Sequence, residues 1–278
     1  MSRKNGWLAR VTALFGHGVP EETWNEMDPG AGISESDRFL LDAFPFKWIT
    51  TDGNRAMAEW LRLRCEGRFW PVIVGGDQEL MQIAEQWGLG DHTAEQILAA
   101  AAELRHPETL RAYHEAQKER LAAFLQQQGE PPEEDYQPPV GDWPQDDEIE
   151  PVSGPSLVRD VLTGEPLGRV HILLMPTKAG HEVPALLRWG GWNECPPPEH
   201  HVAALRRWHE DYGAELVGLS GAVVELRLSK RLATKDEAMR LAREHYLYCN
   251  DAVDQGAGDL TTLAALLLVS DWWFFWWD

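Results

Sequence analysis

From about residue 40 the chain alternates short apolar runs with longer stretches whose apolar side chains recur every three or four positions. Phe46–Thr50 and Phe69–Val74 read as strands. Asn54–Glu66, with Met57, Trp60 and Leu61 inward, reads as a helix, and another follows Gly75-Gly76-Asp77 as far as about Trp87. That β-α-β-α order predicts two parallel strands in one sheet. Helices at Ala94–Leu104 and Pro107–Gln128 follow, and shorter ones are expected around Trp7–Phe15 and Ser34–Leu41.

Beyond residue 156 strands are expected at Val170–Met175, Val183–Trp189, Ala214–Leu219 and Val223–Leu228, the last two joined by a hairpin turn at Ser220-Gly221-Ala222. Between them Glu199–Tyr212 carries Val202, Leu205, Trp208 and Tyr212 at helical spacing, and Gly213 can cap its end. His201 shares that apolar face; His200 aligns with Ala204, Arg207 and Asp211 and should face water. Thr234 and Glu237 fit a capping box that opens a helix to about Cys249, and Asp259–Val269 reads as one more. The closing run, Trp272 to Trp277, is aromatic on both faces, which predicts a strand covered on both sides in the sheet interior. The fold class is therefore α+β: a C-terminal domain (156–278) with a mixed sheet and flanking helices, preceded by a smaller β-α-β-α unit with added helices (1–128).

Charge places the boundary between them. Of a formal net charge of −20, residues 129–151 hold nine acidic side chains and no basic ones. Their proline-rich composition makes 129–155 an acidic linker with Tyr136, Trp143 and Ile149 as its few large apolar groups; the alternative is an acidic-aromatic docking segment, or a strap lying over a basic groove. So acidic a chain is unsuited to a nucleic-acid backbone or an anionic membrane surface. Asp271 interrupts the apolar run from Leu260 to Trp277, which argues against a membrane span. Three cysteines (Cys65, Cys195, Cys249) cannot pair without a remainder, so a reducing cytoplasm is expected.

The densest chemistry lies in Gly190-Gly191-Trp192-Asn193-Glu194-Cys195-Pro196-Pro197-Pro198-Glu199-His200-His201. A thiol just before a helix N-terminus, with an imidazole one to two turns along, has the ingredients of Cys–His catalysis. Asp251, Glu182 or Asp211 could orient that imidazole. Asn250-Asp251-Ala252-Val253-Asp254-Gln255-Gly256 gathers carboxylates and amides after a helix end, suited to binding or to acid–base work, although Gly256 near a helix terminus explains it more simply. Cys195, His201, His245 and Cys249 would make a tetrahedral zinc set, but no tight CxxC pair is present, and no metal or other cofactor is expected. Gly75-Gly76-Asp77 lacks the lysine and third glycine of phosphate-binding loops and reads as a tight turn in which Asp77 caps a helix.

GGWNECPPPEHH, YGAELVGLSGAVVEL, YCNDAVDQG and the closing WWFFWWD, in that order, resemble one bacterial family, the domain-of-unknown-function family numbered 4253. The resemblance covers about residues 170–278. It implies an α+β domain in a bacterial cytosolic protein and brings no activity with it. Excess tryptophan (fourteen residues), the acidic aromatic segment and the lack of a full catalytic signature favour a module that binds another protein, in an immunity-like or regulatory role. The alternative is a small hydrolase or metal-assisted enzyme centred on Cys195, His201 and Asp251. On either reading Trp192, Asn193, His245, Asp254 and Gln255 are expected to line a shared concavity with them.

Overall fold

The computed structural model describes residues 40–131, 136–145 and 149–277. The helix expected at Trp7–Phe15 lies outside them, as does most of the one at Ser34–Leu41, of which residues 40 and 41 are described and belong to a helical turn over 40–43. The strands are β1 Lys47–Thr51, β2 Trp70–Gly75, β3 Val170–Met175, β4 Glu215–Leu219, β5 Val223–Arg227 and β6 Trp272–Trp276. The helices are α1 Ala56–Glu66, α2 Asp77–Leu89, α3 Ala94–Glu103, α4 Glu108–Gln128, α5 Val183–Leu187, α6 Pro198–Tyr212, α7 Lys235–Tyr248 and α8 Leu260–Val269. A π-helical turn spans Ala252–Ala257.

All six strands form one mixed sheet in the order β1-β3-β2-β4-β5-β6. Both β1 and β2 pair antiparallel with β3, so they run in the same direction, as the β-α-β-α rhythm predicts, but with β3 between them. β2 pairs parallel with β4, while β4 with β5 and β5 with β6 are antiparallel. The sheet thus joins strands from both sides of the acidic segment.

Period-two alternation sends side chains to two apolar layers. On one face Val72, Leu173, Leu226, Trp273, Phe275 and Trp277 meet Leu80 and Ile83 of α2, Leu205 and Trp208 of α6, and Leu241 of α7. On the other, Ile73, Ile172 and Val217 lie under Ala56, Trp60 and Leu63 of α1 and under Val152 and Val158. The latter two belong to, or closely follow, the acidic segment, whose described residues run along the protein in the manner of a strap. Leu260 N donates to Pro139 O (2.9 Å), Thr261 Oγ1 to Gly141 O (2.8 Å), Val152 N to Ser270 Oγ (3.0 Å) and Ser156 N to the buried Glu225 carboxylate (2.5 Å). Lys235 Nζ sits 4.1 Å from the centroid of Trp143.

Three local expectations need correction. Val183–Leu187 is a short helix and not part of a strand. Pro184 sits in its first turn, where a missing N–H has no helical partner to lose, and a wholly apolar run does not distinguish a buried strand from a buried helical turn. Among the described residues β6 is an edge strand, paired with β5 alone. Its aromatic run arises because α6 and α7 cover one face while Trp272 meets Val152 and Val158 on the other. Finally, the cap of α2 is Gly76, not Asp77; the Glu79 carboxylate reaches back to accept from Gly76 N (2.9 Å). Among the described residues no helix is long and apolar enough to cross a membrane.

Candidate functional site

The turn before α6 is shaped by backbone that only some residues tolerate. Gly190 has φ 118°, and a Cβ there would lie 2.4 Å from Pro196 O and 2.7 Å from the His201 ring. Asn193 also sits in the left-handed region, at φ 45°. The loop then closes on itself: Gly191 N donates to Pro196 O (2.9 Å) and Cys195 N to Trp192 O (2.8 Å). That folding turns Cys195 inward over the first turn of α6.

There Cys195 Sγ lies 3.4 Å from His201 Nε2, and His201 Nδ1 lies 2.6 Å from the Tyr248 hydroxyl at the end of α7. The start of α6 therefore adjoins the end of α7. A tyrosine hydroxyl, rather than Asp251, Glu182 or Asp211, occupies the second imidazole nitrogen. All three members of the Cys195–His201–Tyr248 chain are buried, His201 completely. Trp189 and Trp277 wall the imidazole, with ring centroids 4.7 and 5.5 Å away.

Burial also sets the protonation of the chain. Desolvation pushes the His201 imidazole down to about 3, assisted by the nearby His200 and His106 rings. The same cause drives the Cys195 thiol far above its usual range and the Cys249 thiol up to about 12. The Tyr248 hydroxyl is raised as well. At neutral pH this is a neutral thiol–imidazole–phenol chain, the opposite of the electropositive, part-exposed setting that activates a cysteine nucleophile.

The remaining sequence candidates divide between interior and surface. His245 is buried against Trp273 (4.6 Å) and Phe275 (4.7 Å), and Cys249 Sγ donates to Trp276 O (3.0 Å). Cys195 and His201 thus touch each other while His245 and Cys249 make other contacts, and among the described residues no group of three or more His, Cys, Asp or Glu side chains is arranged to hold a metal ion. His200, expected to face water, is buried beneath the Tyr113 ring of α4 (5.0 Å), because a second helix covers that side of α6.

Above this interior the two motif loops meet at the surface. Asn250 Nδ2 donates to Glu194 Oε2 (2.5 Å), Gln255 Nε2 to Asp251 Oδ1 (2.8 Å) and the Tyr246 hydroxyl to Asp254 Oδ2 (3.3 Å). Trp192 is half-buried, edge-on to Trp189 (4.9 Å), and Asn193, Glu194, Asp254 and Gln255 are exposed. Desolvation raises the Asp254 carboxyl, with Asp251 and Glu194 adding like charge. Sequence reasoning missed Tyr248 and Glu194. Tyr248 could have been found, since it follows Leu241 and His245 on the buried stripe of α7.

Residues 171–278 match a family described as Domain of unknown function (DUF4253). The DUF4253 segment begins in β3 and contains both motif loops, α5 to α8 and β4 to β6. In this sheet its β3 and β4 are not neighbours; β2, from outside the segment, lies between them. Comparison with curated proteins and with solved structures finds no match for the chain.

Proposed function

We propose that the protein is a binding module that recognises a cationic segment of another protein through the surface formed by the 190–198 turn and the 250–256 turn. One observation carries this reading: the two loops richest in chemistry turn their thiols and imidazoles inward and leave carboxylates, amides and an aromatic edge outside. Glu194, Asp251 and Asp254 supply negative potential, Asn193, Asn250 and Gln255 supply adaptable hydrogen bonds, and Trp192 supplies an apolar anchor. Such a surface suits a regulatory or immunity-type role, in which occupying a partner is itself the function. A second reading, thiol-centred hydrolysis at Cys195, is favoured only by the 3.4 Å contact with His201. It requires the 190–197 turn to open.

Binding of a lysine-rich peptide to the full chain, followed by isothermal titration at low salt, tests the proposal. Glu194→Gln, Asp251→Asn and Asp254→Asn together should weaken it by roughly tenfold or more, about 1.4 kcal/mol. Neutralising Asp42, Glu85 and Glu165, exposed elsewhere on the chain, should change it little. Equal losses in the two triple variants would reduce the effect to net charge and end the reading.

A further inference from the structure

A second group of chemically matched side chains lies away from the motif loops, at the edge of the sheet formed by β1 and β3. Thr50 and His171 are register partners on these strands, and Gly75 of β2 lies opposite His171 on its other side. Thr50 Oγ1 is 3.0 Å from His171 Nδ1, and His171 Nε2 is 2.7 Å from Asp77 Oδ1 at the start of α2. We propose that Thr50, His171 and Asp77 form a hydroxyl–imidazole–carboxylate centre for acyl transfer to water, acting on a small activated ester.

The chemistry follows from the partners. A carboxylate only accepts, so His171 carries its proton on Nε2 and directs it at Asp77. Nδ1 is then left with a lone pair facing Thr50, which is the arrangement a general base needs toward a nucleophilic hydroxyl. Arg169 Nη2 lies 3.4 Å from the same Asp77 oxygen. His171 is fully buried, and burial holds its imidazole below the ordinary range despite Asp77, so it is neutral at pH 7. Thr50 is only half-buried, which leaves the nucleophile within reach of a substrate.

The placement also fits. β1 and β2 run in the same direction, and Thr50 and Gly75-Gly76-Asp77 lie at or just beyond their carboxyl ends, the edge at which α/β sheets hold ligands. The first-turn amides of α2, which have no partner within the helix, open at this same edge and favour negative charge there. Only His171 of the three belongs to the DUF4253 segment; Thr50 and Asp77 come from the part of the chain before it.

In the forward step Thr50 Oγ bonds to the acyl carbon while its proton passes to His171 Nδ1. The bond to the leaving alcohol breaks, and the alcohol takes up that proton. Water then attacks the acyl-threonine, gives its proton to Nδ1, and the carboxylic acid departs as Thr50 recovers its hydrogen. Asp77 acts through the imidazole, as a positioning residue.

p-Nitrophenyl acetate added to the full chain is the probe, with nitrophenolate release and peptide mapping as readouts. Acetylation at position 50 is expected in the wild type and in Thr50→Ser, and nitrophenolate release above background should vanish in Thr50→Val. Asp77→Asn should lower kcat by roughly 10⁴-fold, the effect of the same change in a hydroxyl–imidazole–carboxylate triad. Its KM and melting temperature should hold, which separates positioning from a structural role. Turnover unchanged in Thr50→Val, or acetyl groups confined to other residues, would overturn the assignment. This centre and the acidic surface are independent, and either can fail alone.

Discussion

A chain ending at residue 270 is expected to be insoluble or unfolded, although the strand it loses is at the edge of the sheet. Edge strands are often dispensable when one face is solvated, but β6 is not built that way. Phe275 stacks on Trp208 with centroids 5.3 Å apart and planes within 3°. Trp273 packs on His245 (4.6 Å) and Tyr212 (5.4 Å), and Trp277 on Tyr248 (5.2 Å) and Trp189 (5.6 Å). Truncating one large buried aromatic costs about 3–5 kcal/mol, so losing these three removes roughly 9–15 kcal/mol, as much as a domain's whole margin of about 5–15 kcal/mol. Circular dichroism and a melting curve on the truncated protein check this. A soluble protein with an unchanged melting temperature would show that the aromatic layer carries no such weight.

Stability should also fall steeply as the pH drops from 7 to 5. His106 and His201 are held down to about 3 and His245 well below its ordinary value, each chiefly by desolvation. Between about pH 3 and 6.5 the unfolded chain therefore binds more protons at these sites than the folded chain, so stability rises with pH in that window and is lost on acidification. Each contributes up to about 1.4 kcal/mol per pH unit. The buried Glu225 opposes them: its carboxyl is pushed up to about 7, so between 4.5 and 7 the folded chain holds the extra proton. His200, held down to about 4 by desolvation, adds to them, and four histidines against one glutamate leave a net loss of about 4 kcal/mol per unit towards pH 5, on the order of 10 °C in melting temperature. A melting temperature flat from pH 7 to pH 5 would mean that these imidazoles are not desolvated.

Much of this arrangement is local and was legible. The boundaries of β3 coincide with the apolar run Val170–Met175, and His201 faces inward because it shares a stripe with Leu205 and Trp208. The resemblance to family 4253, read from four motifs over about residues 170–278, agrees with the family match at 171–278. What escaped the sequence is set by partners distant along the chain. The insertion of β3 between β1 and β2 leaves no local signature, and without it neither the Thr50–His171 contact nor the lie of the acidic segment can be foreseen. His200 was misplaced for the same reason, since Tyr113, from another helix, covers it. The candidate site divided likewise: proximity of the two motif loops followed from antiparallel helix packing, whereas the inward turn of Cys195 depends on the closure of the proline-rich loop onto Gly191.

Central to this account is that the Cys195–His201–Tyr248 chain is closed and neutral, so that the motif loops work through their outer surface. Iodoacetamide labelling of the native full chain at neutral pH, read by mass spectrometry, tests this directly. Cys65 is exposed and should be alkylated, whereas Cys195 and Cys249 are buried with raised thiols and should react only after unfolding. Alkylation of Cys195 in the native protein as fast as Cys65, or faster, would contradict the account and point to a reactive thiol.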